Sequence, residues 1–134
     1  KNVPSTERGH VSSFDMNFEA TDDTEKSFLI DTINQGAISL VVCIDNTNGS
    51  VNLNVDINGM SRDGVQEISL AGKDETGADI ASGGFAVGNG QVKYFFLSYA
   101  DFPQTACFRH FKVYAAADSA PATPFTSKVY VDLK

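Results

Sequence analysis

From residue 51 to residue 58 the chain alternates without a break. Val51, Leu53, Val55 and Ile57 are apolar, while Asn52, Asn54, Asp56 and Asn58 are polar. Successive side chains of an extended strand point to opposite faces, so this period describes a strand with one buried and one wet face. Asn-Gly dipeptides stand at Asn48-Gly49, Asn58-Gly59 and Asn89-Gly90. Asn-Gly tolerates the positive φ angles of a type I′ turn, which makes it a strong hairpin signal. Alternation and turns together predict an antiparallel β domain.

Further runs fit the same grammar. Phe14, Met16 and Phe18 alternate with Ser13, Asp15 and Asn17. Residues 27–33 read as a second strand. Residues 38–45 are nearly all apolar and read as a central strand covered on both faces. A strand over 65–71 turns Ile68 and Leu70 inward, and Gly83-Gly84 marks a bulge or bend in 80–87. Residues 91–99 are apolar on both faces, with Val92, Tyr94 and Phe96 on one side and Phe95, Leu97 and Tyr99 on the other. Strands over 106–116 and 128–134 close the chain. No stretch keeps helical spacing over the about 11 residues an amphipathic helix needs, and residues 21–30 are the nearest to doing so.

These runs predict an all-β fold, an antiparallel β-sandwich or jelly roll of about eight or nine strands. A length of 134 residues is one domain's worth. The expected organisation is an extended N-terminal arm over 1–10 and a single β-sandwich domain over 11–134. Ten Phe and no Trp supply the ring volume between the sheets. The expected core holds Phe14, Phe28, Leu40, Val42, Val55, Leu70, Phe96, Val113 and Val131. The chain starts at Lys1 rather than Met, which reads as a processed or trimmed N-terminus.

Charge and motifs exclude much. A net charge of −7 repels phosphate backbones and speaks against nucleic-acid binding. No run approaches the ~20 apolar residues of a helical membrane span, so no membrane insertion is expected. His10 lies in the arm and His110 on the wetter side of its strand, each without a nucleophile in sequence context. Asp15, Glu19, Asp31, Asp56 and Glu67 read as solvated strand faces rather than a glycosidase pair. The loops 45–50 and 74–79 offer oxygen ligands but lack the calcium-loop pattern, and turn chemistry explains them. No catalytic residue, metal site or cofactor is expected. Cys43 and Cys107 lie in apolar strand runs. They are open to two readings, an inter-sheet disulfide or two buried thiols.

The aromatic and basic strand Phe108-Arg109-His110-Phe111-Lys112-Val113-Tyr114, the Pro-containing loop after it and the closing alternation Val129-Tyr130-Val131-Asp132-Leu133 resemble small β-sandwich capsid decoration, or cement, proteins of tailed bacteriophages. A second resemblance is to exported pilin or surface-filament subunits, which are also β-sandwiches with two Cys and a free alternating N-terminal arm. Here the spacing of Cys43 and Cys107 departs from the short pilin spacing. The resemblance implies a non-enzymatic structural protein on the capsid exterior, partnered by copies of itself and by a major capsid or other lattice protein. The alternatives are a cell-surface filament subunit and a secreted carbohydrate-binding module. Expected interface residues are Val11, Phe14, Met16 and Phe18 on the first strand, and Phe95, Leu97 and Tyr99 on the two-sided strand.

Overall fold

The computed structural model describes residues 10–31, 39–61, 63–98, 100, 101, 108 and 110–133, with the backbone alone at 10–12 and 31. Every regular element among them is a β-strand. They are β1 (His10–Phe18), β2 (Lys26–Asp31), β3 (Ser39–Asn46), β4 (Leu53–Met60), β5 (Glu67–Ser69), β6 (Gly72–Lys73), β7 (Asp79–Ile80), β8 (Phe85–Val87), β9 (Gln91–Ser98), β10 (His110–Ala117) and β11 (Phe125–Leu133).

Two antiparallel sheets result. The six-stranded sheet runs β1-β11-β3-β9-β6-β7, and the five-stranded sheet runs β2-β10-β4-β5, with β8 also on β4. β5 covers the Asn58–Met60 end of β4 and β8 covers the Leu53–Val55 end. Counting β5 to β8 as one interrupted strand leaves eight, and the long strands fall alternately into the two sheets along the chain. This is the double Greek-key order of a jelly roll.

The core forms where the two inner faces meet. β11 buries Phe125, Ser127, Val129, Val131 and Leu133, and β10 buries Phe111, Val113, Ala115 and Ala117. Leu40, Val42 and Ile44 of β3 face Leu53, Val55 and Ile57 of β4 in the same cluster. Phenylalanine stacks bridge the sheets, Phe14 on Phe28 at 4.8 Å and Phe85 on Phe95 at 5.8 Å between ring centroids. The core expected from alternation holds for Leu40, Val42, Val55, Leu70, Val113 and Val131, with Phe14 and Phe28 packed at its rim.

Phe96 is a correction. It stands 39% exposed, whereas Phe95 and Leu97 are 1% and 2% exposed. Both faces of β9 carry large apolar residues, so alternation alone does not say which side is inside. Ile68 is likewise exposed, because β5 is a short edge strand. Residues 21–30 make no helix and instead lead into β2.

The Asn-Gly dipeptides do different work from that expected. Asn58-Gly59 lies inside β4. A Cβ on Gly59 would stand 2.8 Å from the Phe108 ring, so this glycine is there for close packing. Asn48-Gly49 and Asn89-Gly90 do turn the chain, but each carries it from one sheet to the other. The two tight same-sheet hairpins use Asp63-Gly64 and the Asp74–Gly77 turn. Gly83 and Gly84, at φ of 106° and 100°, break the chain between β7 and β8 so that it can cross between sheets.

Asn46, fully buried at the end of β3, ties several of these links together. Its side-chain amide donates to the carbonyls of Val51 at 3.1 Å and Gly88 at 3.2 Å. Its backbone carbonyl accepts from Gly49 N–H at 3.0 Å and Gly90 N–H at 2.9 Å. Ser127, the other buried polar residue among those described, satisfies the remaining carboxamide oxygen.

Candidate functional site

The outer faces of the two sheets differ in chemistry, and the difference follows from register. On the six-stranded sheet, Tyr130 pairs with Cys43 and Cys43 with Tyr94, forming one row across β11, β3 and β9. The next row is Lys128, Asp45 and Val92, extended by Asp15 on β1. The row on the other side is Asp132, Val41 and Phe96, extended by Lys73 on β6. The centre of this face is therefore apolar and aromatic. Val92, Tyr94, Phe96 and Tyr130 are each about two-fifths exposed. The Tyr94 and Phe96 rings lie 5.8 Å apart and nearly parallel.

A shallow groove of about 450 Å³ runs along this face beside Val41, Cys43, Tyr94, Tyr130 and Asp132. Charges rim it. Lys128 Nζ is 3.4 Å from Asp15, and Lys73 Nζ is 2.8 Å from Asp79. The Cys43 thiol is free and half-buried. Burial pushes its pKa up, opposed by a hydrogen bond with the Tyr94 hydroxyl, while that bond raises the tyrosine pKa. A thiol held protonated is a poor nucleophile.

The outer face of the five-stranded sheet is polar apart from Leu29, which stands 54% exposed beside Lys112. Tyr114 donates to Glu67 at 2.6 Å, and the Lys112 ammonium sits 5.0 Å from the centre of the Tyr114 ring. Ser69 donates to Asp56 at 2.6 Å and accepts from Gly83 N–H at 2.7 Å. A second groove of about 450 Å³ here is walled by Asn54, Asp56, Gly83, Gly84, Phe85 and Tyr114.

The interface residues expected from the sequence fall elsewhere. Met16, Phe18, Phe95 and Leu97 are buried in the protein's own core, and Phe14 packs against it. This corrects the expectation that they present a surface. β1 completes its own sheet, pairing with β11 from His10↔Leu133 to Phe18↔Phe125. Val11 lies opposite Asp132 in that ladder. Tyr99 lies outside the described residues, as do Cys107, and so the second half of the candidate disulfide, and most of the expected arm. On β9 the exposed apolar side chains are those of the opposite parity, Val92, Tyr94 and Phe96.

Chemical groups elsewhere are engaged in structure. Asp45 Oδ1 accepts from the Thr47 amide and hydroxyl, and Asp74 Oδ1 from Thr76 and the Ala78 amide. These bonds hold both carboxyls below the usual range, those from the Thr47 and Thr76 hydroxyls foremost. Among the described residues no three His, Cys, Asp or Glu side chains gather as a metal ion would require. His110 takes the parity of Lys112, on the wetter side of β10.

No family model matches the sequence, and no curated protein matches it. Solved structures do match. The SPBc2 prophage-derived protein YomS superposes with a TM-score of 0.52 at 14% identity, covering 92% of this chain and 94% of that one. The decameric BFDV capsid protein gives 0.53 at 8% identity, with 93% and 94% covered. The PBSX exported protein XepA gives 0.51 at 17% identity, and this chain spans 38% of its length. At such identities the likeness concerns architecture, and function has to be argued from surfaces. The chain thus shares its jelly-roll fold with prophage-derived and viral capsid proteins.

Proposed function

We propose that this chain is a non-catalytic building block of a virion or similar extracellular assembly, and that it joins the assembly through the outer face of its six-stranded sheet. One observation carries the reading. Val92, Tyr94, Phe96 and Tyr130 cluster as exposed aromatic and apolar side chains at the centre of one sheet, while on the other sheet exposed apolar side chains stand singly, Leu29 on β2 and Ile68 on β5, among hydrogen-bonded polar residues. An apolar patch with a charged rim is the usual anatomy of a docking surface, with tyrosine and phenylalanine at its centre. The fold shared with prophage-derived and capsid proteins supports the same reading, and capsid decoration is its specific form. The residues before β1 serve in this reading as an arm that orders on a neighbouring subunit.

The test is cofractionation. Particles are purified on a density gradient from the producing culture, and the chain is followed by antibody. The chain should travel with the particles, and Tyr94→Arg with Phe96→Arg should shift it to the soluble fraction while its melting temperature holds. A chain found in the soluble fraction alone would overturn the proposal.

A second reading has one specific observation behind it. Tyr94, Phe96 and Tyr130 also gather three aromatic side chains on one face beside Asp45 and Asp132, the residue types a secreted carbohydrate-binding module would need. Glycan-array binding by the monomer, lost in Tyr94→Ala, would favour it.

A further inference from the structure

We infer that the aromatic face of the six-stranded sheet docks on the same face of a second copy of this chain, with a two-fold axis along the Tyr130–Cys43–Tyr94 row. The inference rests on the assembly reading above and names its first partner.

The argument is one of self-complementarity. The three residues of the central row are in direct register across β11, β3 and β9. Lys128, Asp45 and Val92 lie on one side of it, and Asp132, Val41 and Phe96 on the other. A two-fold axis along the row, midway between two stacked faces, exchanges those outer rows and keeps each strand over its own counterpart. Lys128 then falls opposite Asp132 of the second copy, and Asp132 opposite its Lys128. Val92 falls opposite Phe96, and Asp45 opposite Val41. Tyr130, Cys43 and Tyr94 meet themselves, as residues on an isologous axis must.

The distances suit this arrangement. Stacked sheets lie about 10 Å apart with strands within about 30° of each other. Lys128 and Asp132 are four residues apart on β11, so each sits about 7 Å from the axis at a rise of about 3.3 Å per residue. A lysine side chain spans the gap and absorbs the offset. Two copies with a net charge of −7 repel each other at long range. That repulsion is screened beyond about 8 Å at physiological salt, while the contact pairs persist. Dimerisation should therefore tighten as salt rises from very low values towards physiological.

The experiment uses the full chain carrying Cys107→Ser, in sedimentation velocity at physiological salt over rising concentration. A monomer–dimer equilibrium is expected. Lys128→Asp and Asp132→Lys should each weaken it about tenfold, and the double reversal should restore it. Lys128→Asp also breaks the ion pair with Asp15, so dimer constants are compared only among variants whose circular-dichroism spectra match the wild type. A bismaleimide with a spacer of about 10 Å, matched to the distance between stacked sheets, should join Cys43 to Cys43 across the axis, giving a dimer on denaturing gels that Cys43→Ser abolishes. A strict monomer at the highest concentration, or a double reversal no better than either single change, overturns the inference. If the chain is monomeric yet the Tyr94→Arg, Phe96→Arg variant leaves the particle fraction, the assembly reading stands and the partner is a different subunit. If that variant stays with the particles, the assembly reading itself falls.

Discussion

Ser127 donates its hydroxyl hydrogen to the carboxamide oxygen of Asn46 across 2.6 Å, and both side chains lie inside the sandwich where water does not reach. Neither residue belongs in a core by type. Together they satisfy one another and leave the Asn46 amide to hold two loop carbonyls.

Removing one partner should cost more than the bond itself returns, because the other is left buried and unsatisfied. Ser127→Ala should lower stability by about 1–3 kcal/mol in urea denaturation. Asn46→Leu should cost more, since Val51 and Gly88 lose their donor as well. Equal stability of wild type and Asn46→Leu would refute the account.

The parity of β9 is directly testable. Phe95→Ala removes a ring from the core and should cost about 3–5 kcal/mol. Phe96→Ala should stay within about 1 kcal/mol, since that ring is on the surface. The reverse ranking would turn the strand over.

Legibility in the sequence varied by region for physical reasons. β4, β10 and β11 were plain because one face of each is apolar and the other polar, which alternation reports directly. In β9 that signal is cancelled, since Val92, Tyr94 and Phe96 are as apolar as Phe95 and Leu97. A strand apolar on both sides marks either full burial or a docking surface, and choosing between them needs the neighbours. The Asn-Gly turns were visible, but a turn residue does not say which sheet the next strand joins. Gly59 was misleading because glycine serves close packing as well as turning. The Asn46 and Ser127 pair left no trace, as its 81-residue separation is closed by tertiary structure alone.

Acid should weaken the β1–β2 link. The Thr24 amide, then Lys26, hold the Asp22 carboxyl down at about 2, from an ordinary 3.8. A carboxyl with a depressed folded pKa stabilises the fold above its unfolded value and loses that contribution as pH falls through the folded one. The contribution of Asp22 is thus whole above pH about 4 and gone below about 2. Lys26, paired to Asp22 at 3.0 Å, also sits 4.9 Å from the centre of the Phe18 ring. Asp22→Asn should melt earlier than wild type at pH 7, and the two should converge near pH 2. A constant gap across that window would show that the ion pair and amide bond contribute nothing.

Deleting residues 1–9 should leave the melting temperature nearly unchanged, since β1 begins at His10. Deleting through Phe18 should remove Met16 and Phe18 from the core, strip the edge of β11 and cause a large loss of stability. β1 pairs within its own chain, so this core stabilisation should not vary with protein concentration. A melting temperature that rises with concentration in the full chain but not in the Lys128→Asp variant would report the dimer instead.

The pairing of β1 with β11 also fixes the order of events in biosynthesis. Asn17 and Thr126, bonded at 2.8 Å, are 109 positions apart in the chain. The edge strand made early therefore has no ladder to join until β11 has emerged from the ribosome. Until then Met16 and Phe18 are an uncovered hydrophobic stripe on a nascent chain, a natural target for a holdase. Closure over such a span makes for a slow, late step, of the kind that non-local β topologies take in milliseconds to seconds. A stalled nascent chain that ends before residue 125 should stay protease-sensitive throughout, and one that exposes β11 beyond the exit tunnel should become resistant in a single transition.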